Sequence, residues 1–319
     1  MPARSRRVRP GFARAAKAKP APRRGRSRWI IPVAALVLLA AGAAVAFVVL
    51  RDGAGGGDAV AWARLDTADV HSLAFDPADP AHLYFGHHGG LLESRDGGRS
   101  WQPTALSGAD AMNVRVSDEG LMQIAGHEVY LESRDGGQTW EPVPTDLPGL
   151  DLHAFVTDPG DPTHAWAFAV GHGLFESTDA GRHWEQRQPD SFGALTTFQA
   201  DGQPVLVGLT QIGIARSDDG GRTWQPLGRP SGQLASLAAS GDGSVLYAGT
   251  TDGLQRSTNG GQTWSATGLT NVALTIAVPA GDDATVAVVD DQTRFYRSSD
   301  RGATWPGPLI TSSPPTTMA

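Results

Sequence analysis

The chain of 319 residues contains no cysteine. That absence removes disulfides, thiolate nucleophiles, cysteine-ligated zinc and a lipid anchor built on a cysteine. Lysine is missing after residue 19, and no Asp or Glu occurs before residue 52. Charge is therefore split: residues 1–28 carry eleven Arg or Lys and no acid, and the rest carries a net −18. A body this acidic argues against nucleic acid as a partner. Helical periodicity is missing from the sequence after residue 51, and only four tyrosines occur in the whole chain.

The one long hydrophobic run is IIPVAALVLLAAGAAVAFVVL, residues 30–50, which is uncharged and 21 residues long. As a helix it crosses the ~30 Å hydrocarbon core of a bilayer. The basic residues ahead of it orient the N-terminus to the cytoplasm and also suit anionic headgroups. The organisation expected is a basic cytoplasmic tail (1–28), a transmembrane signal anchor (29–50) and a Gly-rich linker (51–58), then an exported body (59–310) and a polar, Pro-rich tail (311–319). The protein is then a single-pass cell-membrane protein. The alternative is a secreted protein cleaved near Ala44-Val45-Ala46. A body of roughly 260 residues buries a large core without disulfides.

An octapeptide recurs through that body: SRDGGRSW (94–101), SRDGGQTW (133–140), STDAGRHW (177–184), SDDGGRTW (217–224), STNGGQTW (257–264) and SSDRGATW (298–305). Its serines are 39 to 44 residues apart, and its tryptophans are six of the nine in the chain. Each unit reads as four short strands cut by Gly, Pro and Asp turns, as in VHSLAF, LYFG, GLLES and SWQPTAL of residues 70–106. Six such units specify an all-β, six-bladed β-propeller of four-stranded blades, preceded by the transmembrane helix. A degenerate seventh blade is the alternative, for which few residues remain. The segment 59–69 is expected to supply an outer strand to the last blade and close the ring. Within a blade the octapeptide is a corner between the third and fourth strands, with glycines at positive φ and the Trp opening the next strand.

The pattern S-x-D-x-G-x-[TS]-W resembles the Asp-box, or BNR repeat, of sialidases, sortilin-type propellers and bacterial proteins described as glycosyl hydrolase-like or photosystem II assembly factor-like. The resemblance spans residues 70–305, with mild departures at Ala180, His183, Asn259 and Arg301. It implies the propeller fold, and for activity it raises a glycoside hydrolase of the exo-sialidase kind acting on cell-surface or extracellular glycans. Sialidases of this family carry three arginines, a Tyr nucleophile with a Glu partner and an acidic acid/base, the first arginine in an Arg-Ile-Pro stretch. No Arg-Ile-Pro occurs here. Outside the boxes, Arg64, Arg115, Arg187, Arg229 and Arg294 form no visible triad, and Tyr130, Tyr247 and Tyr296 fall where strands pack.

Histidine is the residue type whose placement stands out. His71 (VHSLAF) and His153 (LHAFV) open first strands, where blade 2 has Asn113; His87 and His88 (FGHHGG), His127 (AGHEV) and His172 (VGHGLF) lie at second-to-third-strand turns. In a propeller both places belong to the rim opposite the boxes. Gln211, Asp252 and Asp290 hold the equivalent turns of the other blades. Imidazole with carboxylate suits a divalent transition metal, so His71, His87, His127, His153 and His172 are the expected metal ligands, and the whole set a ligand-binding rim. His82 and His164 are expected in first-to-second-strand loops on the box side and His183 inside a box, all three structural. The functional expectation is a membrane-anchored binding or assembly module whose box-free face takes a glycan, protein or metal ligand, with glycan hydrolysis as the alternative.

Overall fold

The computed structural model describes residues 59–117 and 119–308, so the expected tail, anchor and linker of 1–58 and the tail of 311–319 lie outside the described residues. The described chain forms six sheets of four antiparallel strands and no helix. Strand β1 (Ala63–Arg64) precedes blade 1, which is β2 (Ser72–Asp76), β3 (Asp79–His87), β4 (Gly90–Ser94) and β5 (Gln102–Ser107). Blade 2 is β6 (Asn113–Val116), β7 (Met122–Gly126), β8 (Val129–Ser133) and β9 (Glu141–Pro142). Blade 3 is β10 (Leu152–Asp158), β11 (Asp161–Ala169), β12 (Gly173–Ser177) and β13 (Glu185–Gln188). Blade 4 is β14 (Leu195–Ala200), β15 (Gln203–Thr210), β16 (Gly213–Ser217) and β17 (Gln225–Pro226). Blade 5 is β18 (Leu234–Ala239), β19 (Leu246–Thr250), β20 (Gly253–Ser257) and β21 (Ser265–Ala266). Blade 6 is β22 (Ala273–Ala277), β23 (Val286–Asp290) and β24 (Arg294–Ser298), completed by β1.

The first strands β2, β6, β10, β14, β18 and β22 touch one another in a closed cycle and line the axis. Closure is also bridged by hydrogen bonds: β1 pairs with β24 through Ala63↔Phe295 and Arg64↔Arg294, as expected for 59–69. The N–H of Trp62 donates to Phe295 O at 2.8 Å and that of Val60 to Trp305 O at 3.0 Å. Blade 6 therefore joins the two ends of the described chain, and no seventh blade is formed among the described residues.

Middle strands are buried on both faces because a blade packs against a neighbour on each side. Thus β7 (MQIAG) and β23 (VAVVD) are buried at every position, whereas β9, β17 and β21 are two-residue exposed strands. The cores lie between blades: Tyr130 and Val143 of blade 2 pack with Leu152, Phe155 and Phe175 of blade 3. All four tyrosines of the chain, Tyr84, Tyr130, Tyr247 and Tyr296, are buried. Burial pushes the phenols of Tyr247 and Tyr296 up to about 12, as suits rings packed between blades.

The octapeptide is a closed hydrogen-bonded corner. In the first copy Ser94 Oγ donates to Asp96 Oδ1 (2.9 Å) and accepts from Gly98 N (2.8 Å). Asp96 also accepts from Arg99 N, Ser100 N and Ser100 Oγ, and Trp101 Nε1 donates to Gly98 O. At the Asn259 departure the amide keeps the pattern, donating to Thr263 Oγ1 at 2.9 Å, and at His183 the imidazole takes the hydroxyl's place on Asp179 at 2.5 Å. Ala180 and Arg301 adopt φ of 60° and 59° in the position where the first box has Gly97 at 76°. Box glycines also set blade spacing: a Cβ on Gly181 would lie 1.7 Å from Tyr130 Oη of the preceding blade.

Candidate metal centre

Each blade begins where the chain crosses from an outer strand to the axis, at the rim opposite the boxes. The hairpin turns between second and third strands reach the same rim. The ladder register decides what those turns present. His87 pairs with Gly90, leaving His88 and Gly89 as a two-residue turn, and Gly126 pairs with Val129, leaving His127 and Glu128. His88 and His127 are therefore equivalent, one per blade.

Three aspartates stand beside these turns, each on the link into a first strand: Asp69, Asp110 and Asp151. Each turn histidine lies between the aspartate of its own blade and that of the next. His88 Nδ1 is 2.8 Å from Asp69 Oδ2 and its Nε2 is 3.7 Å from Asp110 Oδ2. His127 Nδ1 is 2.5 Å from Asp110 Oδ2 and its Nε2 is 3.5 Å from Asp151 Oδ1. The two first-strand histidines complete the array. His71 Nε2 is 2.9 Å from His88 Nδ1 and 3.3 Å from Asp110 Oδ1. His153 Nε2 is 3.1 Å from both His127 Nε2 and Asp151 Oδ1. Four imidazoles and three carboxylates thus form one continuous row across blades 1 to 3, with three overlapping triads of metal-ligand spacing: Asp69–His71–His88, His88–Asp110–His127 and His127–Asp151–His153.

The row grades from interior to solvent. The side chains of His71, Asp110 and His153 are 14%, 10% and 15% exposed, while that of His88 is 55% exposed. Burial lowers the pKa of His71 and His153 against the opposing pull of Asp110 and Asp151, so both rings favour the neutral form that ligates. Burial would raise the Asp69 carboxyl, but hydrogen bonds from His88 outweigh it and hold the group ionised. Asp110 Oδ1 and Asp151 Oδ1 are buried and accept no hydrogen bond. A buried carboxylate oxygen without a donor costs roughly 1–3 kcal/mol or more, and a cation between it and the rings would remove that cost.

The other rim residues named from the sequence sit elsewhere. His87 stacks on Phe85 and accepts from Gly89 N, outside the row. In blade 3 the ladder ends at Ala169↔Gly173, so the turn holds three residues and His172 at its far end is exposed beside Gly149. Asn113 is a clamp between blades: its Nδ2 donates to Ala125 O and Leu152 O, and its Oδ1 accepts from Phe155 N. Gln211 donates to Asp190, and Asp252 is exposed next to the Gly232 turn. Asp290 is fully buried, accepts from Gln292 N and Arg294 N, and pairs with the Arg294 guanidinium at 2.7 Å.

His82 and His164 lie in β3 and β11 themselves, because the first hairpin extends to Asp76↔Asp79 and Asp158↔Asp161. Each ring is held between two carboxylates, Asp76 and Glu93 for His82, Asp158 and Glu176 for His164. Arg187 and Arg294 spend their guanidiniums on Glu176 and Asp290, which leaves them unfit to grip a substrate carboxylate.

The sequence reading missed Asp69, Asp110 and Asp151. The signal was there: the first-strand entries read DVH, DAM and DLH, with the aspartates 41 residues apart and two residues before His71 and His153. Aspartate is so frequent in the box and hairpin turns that this second periodic set did not stand out.

Known proteins place the chain. Residues 58–200 match the family model of photosynthesis system II assembly factor YCF48, and residues 215–226 and 255–266 match that of the BNR/Asp-box repeat. Among solved structures, YCF48 bound to D1 peptide is 22% identical over 81% of this chain and 86% of that chain, with a TM-score of 0.49. The GH74 xyloglucanase from Xanthomonas campestris is 17% identical over 76% of this chain and 47% of that chain, with a TM-score of 0.51. An ancestral GH74 enzyme is 16% identical over 76% of this chain and 38% of that chain, also at 0.51. At such identities the xyloglucanase and its ancestral relative speak for the fold alone. No curated protein matches the chain. The chain is thus a six-bladed propeller with one hydrogen-bonded Asp-box per four-stranded blade, and its repeats match the BNR/Asp-box and YCF48 models over the residues given.

Proposed function

We propose that this protein is a membrane-anchored, extracytoplasmic binding or assembly module, and that its working surface is the box-free rim of blades 1 to 3, where a divalent transition metal is held. The observation that carries the metal is the convergence of ring nitrogens in pairs, His71 with His88 at 2.9 Å and His127 with His153 at 3.1 Å, each beside a carboxylate. Two neutral imidazoles at that distance share an N–H···N hydrogen bond in one pair of tautomers and in the other aim both lone pairs at a single cation. Imidazole with carboxylate suits zinc, copper, nickel or iron. The assembly-factor family match covers residues 58–200, which contain all three blades that build the row. That match supports an assembly role over an enzymatic one. Export and anchoring rest on the uncharged run 30–50 behind the basic tail.

A glycan hydrolase of the two-carboxylate kind sets its pair about 5–10 Å apart across an open cleft. The rim carboxylates Asp69, Asp110 and Asp151 each face imidazoles instead. The test is a titration of the metal-stripped protein with Zn²⁺ or Cu²⁺ beside its His71→Ala/His153→Ala variant. Tight binding lost in the variant is the expected result, and equal binding by both would refute the metal. A periplasmic-versus-cytoplasmic reporter fused after residue 308 tests the export, which a cytoplasmic signal would overturn.

A further inference from the structure

We infer that the row holds two metal ions, one in Asp69–His71–His88 and one in His127–Asp151–His153, and that Asp110 between them is a positioning residue. The inference rests on the metal reading above and extends it to number and place.

Geometry separates the three triads. Metal–ligand bonds of ~2.0–2.1 Å in a tetrahedral site put two ligand atoms about 3.3 Å apart. The His127–Asp151–His153 triad has separations of 3.1, 3.1 and 3.5 Å, which an ion fits with shifts of a few tenths of an ångström. In the Asp69–His71–His88 triad the ring nitrogens are 2.9 Å apart and each faces a different carboxylate oxygen, His88 Nδ1 2.8 Å from Asp69 Oδ2 and His71 Nε2 3.8 Å from Asp69 Oδ1, so an ion between the rings meets the carboxylate after a shift of about half an ångström. The middle triad does not fit, because His127 Nδ1 lies 2.5 Å from Asp110 Oδ2, the separation of a hydrogen bond and not of two ligands on one ion. The terminal triads also share no residue, so both fill without an imidazole bridging two ions.

That short contact gives Asp110 its role. A carboxylate accepting the Nδ1–H of His127 fixes the tautomer in which Nε2 carries the lone pair, and Nε2 is the atom that meets His153 and Asp151. Its other oxygen, Oδ1, is buried, accepts no hydrogen bond and lies 3.3 Å from His71 Nε2 of the other triad. Charge also favours two ions: three carboxylates in one row offset most of the charge of two divalent cations, whereas one ion in the middle would leave Asp69 and Asp151 uncompensated.

The test uses the full-length protein, purified in mild detergent without a polyhistidine tag, stripped of metal and dialysed against Zn²⁺, with bound zinc read by elemental analysis. The expected result is two zinc ions per chain, one after His71→Ala, one after His153→Ala and none after the double substitution. Asp69→Asn and Asp151→Asn, which keep shape, should repeat the single losses if an alanine variant fails to fold. Asp110→Asn should keep two ions while weakening the His127–Asp151–His153 site 10- to 100-fold, at an unchanged melting temperature of the metal-free protein. A single zinc ion in the unsubstituted protein, abolished by either single variant, would mean a single shared site and would overturn the two-ion inference while leaving the metal reading standing. No bound zinc in the unsubstituted protein would end both. An unweakened site in Asp110→Asn would remove the positioning role.

Discussion

At the residue scale, the box aspartates and the rim aspartates are the same side chain put to different use. A box carboxylate is saturated with donors: burial would raise Asp96, but the Ser100 hydroxyl and N–H, Ser94 Oγ and Arg99 N hold it below the usual range. At Asp135 the Thr139 hydroxyl leads, and the carboxyl falls to about 2. A rim carboxylate such as Asp110 instead has a buried oxygen with no donor. Two predictions belong here. Asp96→Ala should lower stability by about 1–3 kcal/mol, the cost of stranding donors around a lost carboxylate, while leaving metal binding at the rim unchanged. Because the folded pKa values of the box aspartates lie below their unfolded values, their stabilisation is fully present above about pH 4–5 and is lost as pH falls toward 2. The melting temperature should therefore drop through that window; a flat profile from pH 5 to 2 would contradict it.

At the scale of elements, the repeat made the blades legible and the register decided the rest. Six copies of a corner motif at near-constant spacing placed each third-to-fourth-strand junction, and the strands follow on either side. The first-strand histidines and His127 were likewise visible as rare residues in recurring positions. What sequence could not resolve was which of two adjacent histidines, His87 or His88, faces the rim, because that depends on whether the ladder ends at Gly86 or one pair later at His87↔Gly90. Nor could it show that a turn of one blade reaches the first-strand link of the next, since His88 and Asp110 meet only once the blades stack. Asn113 illustrates the same limit: the ladder gives it the register of Ser72 and not, as expected, that of His71, and it bonds across to β10, clamping blade 2 to blade 3. Its replacement by Ala leaves Phe155 N and Leu152 O short of a partner and should cost about 1–3 kcal/mol in chemical unfolding. At the box corner, Gly181→Ala should destabilise by about 2–3 kcal/mol by driving a methyl into Tyr130 of the preceding blade. Ala180→Gly should do the reverse, by about 0.5–1 kcal/mol, because its φ of 60° suits glycine. Equal stability of the two variants would refute this account of the corner.

At the scale of the molecule, a propeller gives one rim to structure and leaves the other free. The boxes occupy one end of every blade, and strand β1 closes the ring, so the opposite rim varies without touching the closure. Blades 1 to 3 use that freedom for histidine and aspartate, whereas the corresponding positions of blades 4 to 6 are Gln211, Asp252 and the self-contained Asp290–Arg294 pair. The molecule is accordingly asymmetric in chemistry though regular in fold. The most direct measurement of the central claim is anomalous scattering at the zinc edge from crystals of the protein grown with Zn²⁺. The account predicts density at the rim about 2.0–2.2 Å from His127 Nε2, His153 Nε2 and Asp151 Oδ1, with a second site at Asp69, His71 and His88. Zinc found at exposed histidines such as His172 or His183 with none at the rim would contradict it.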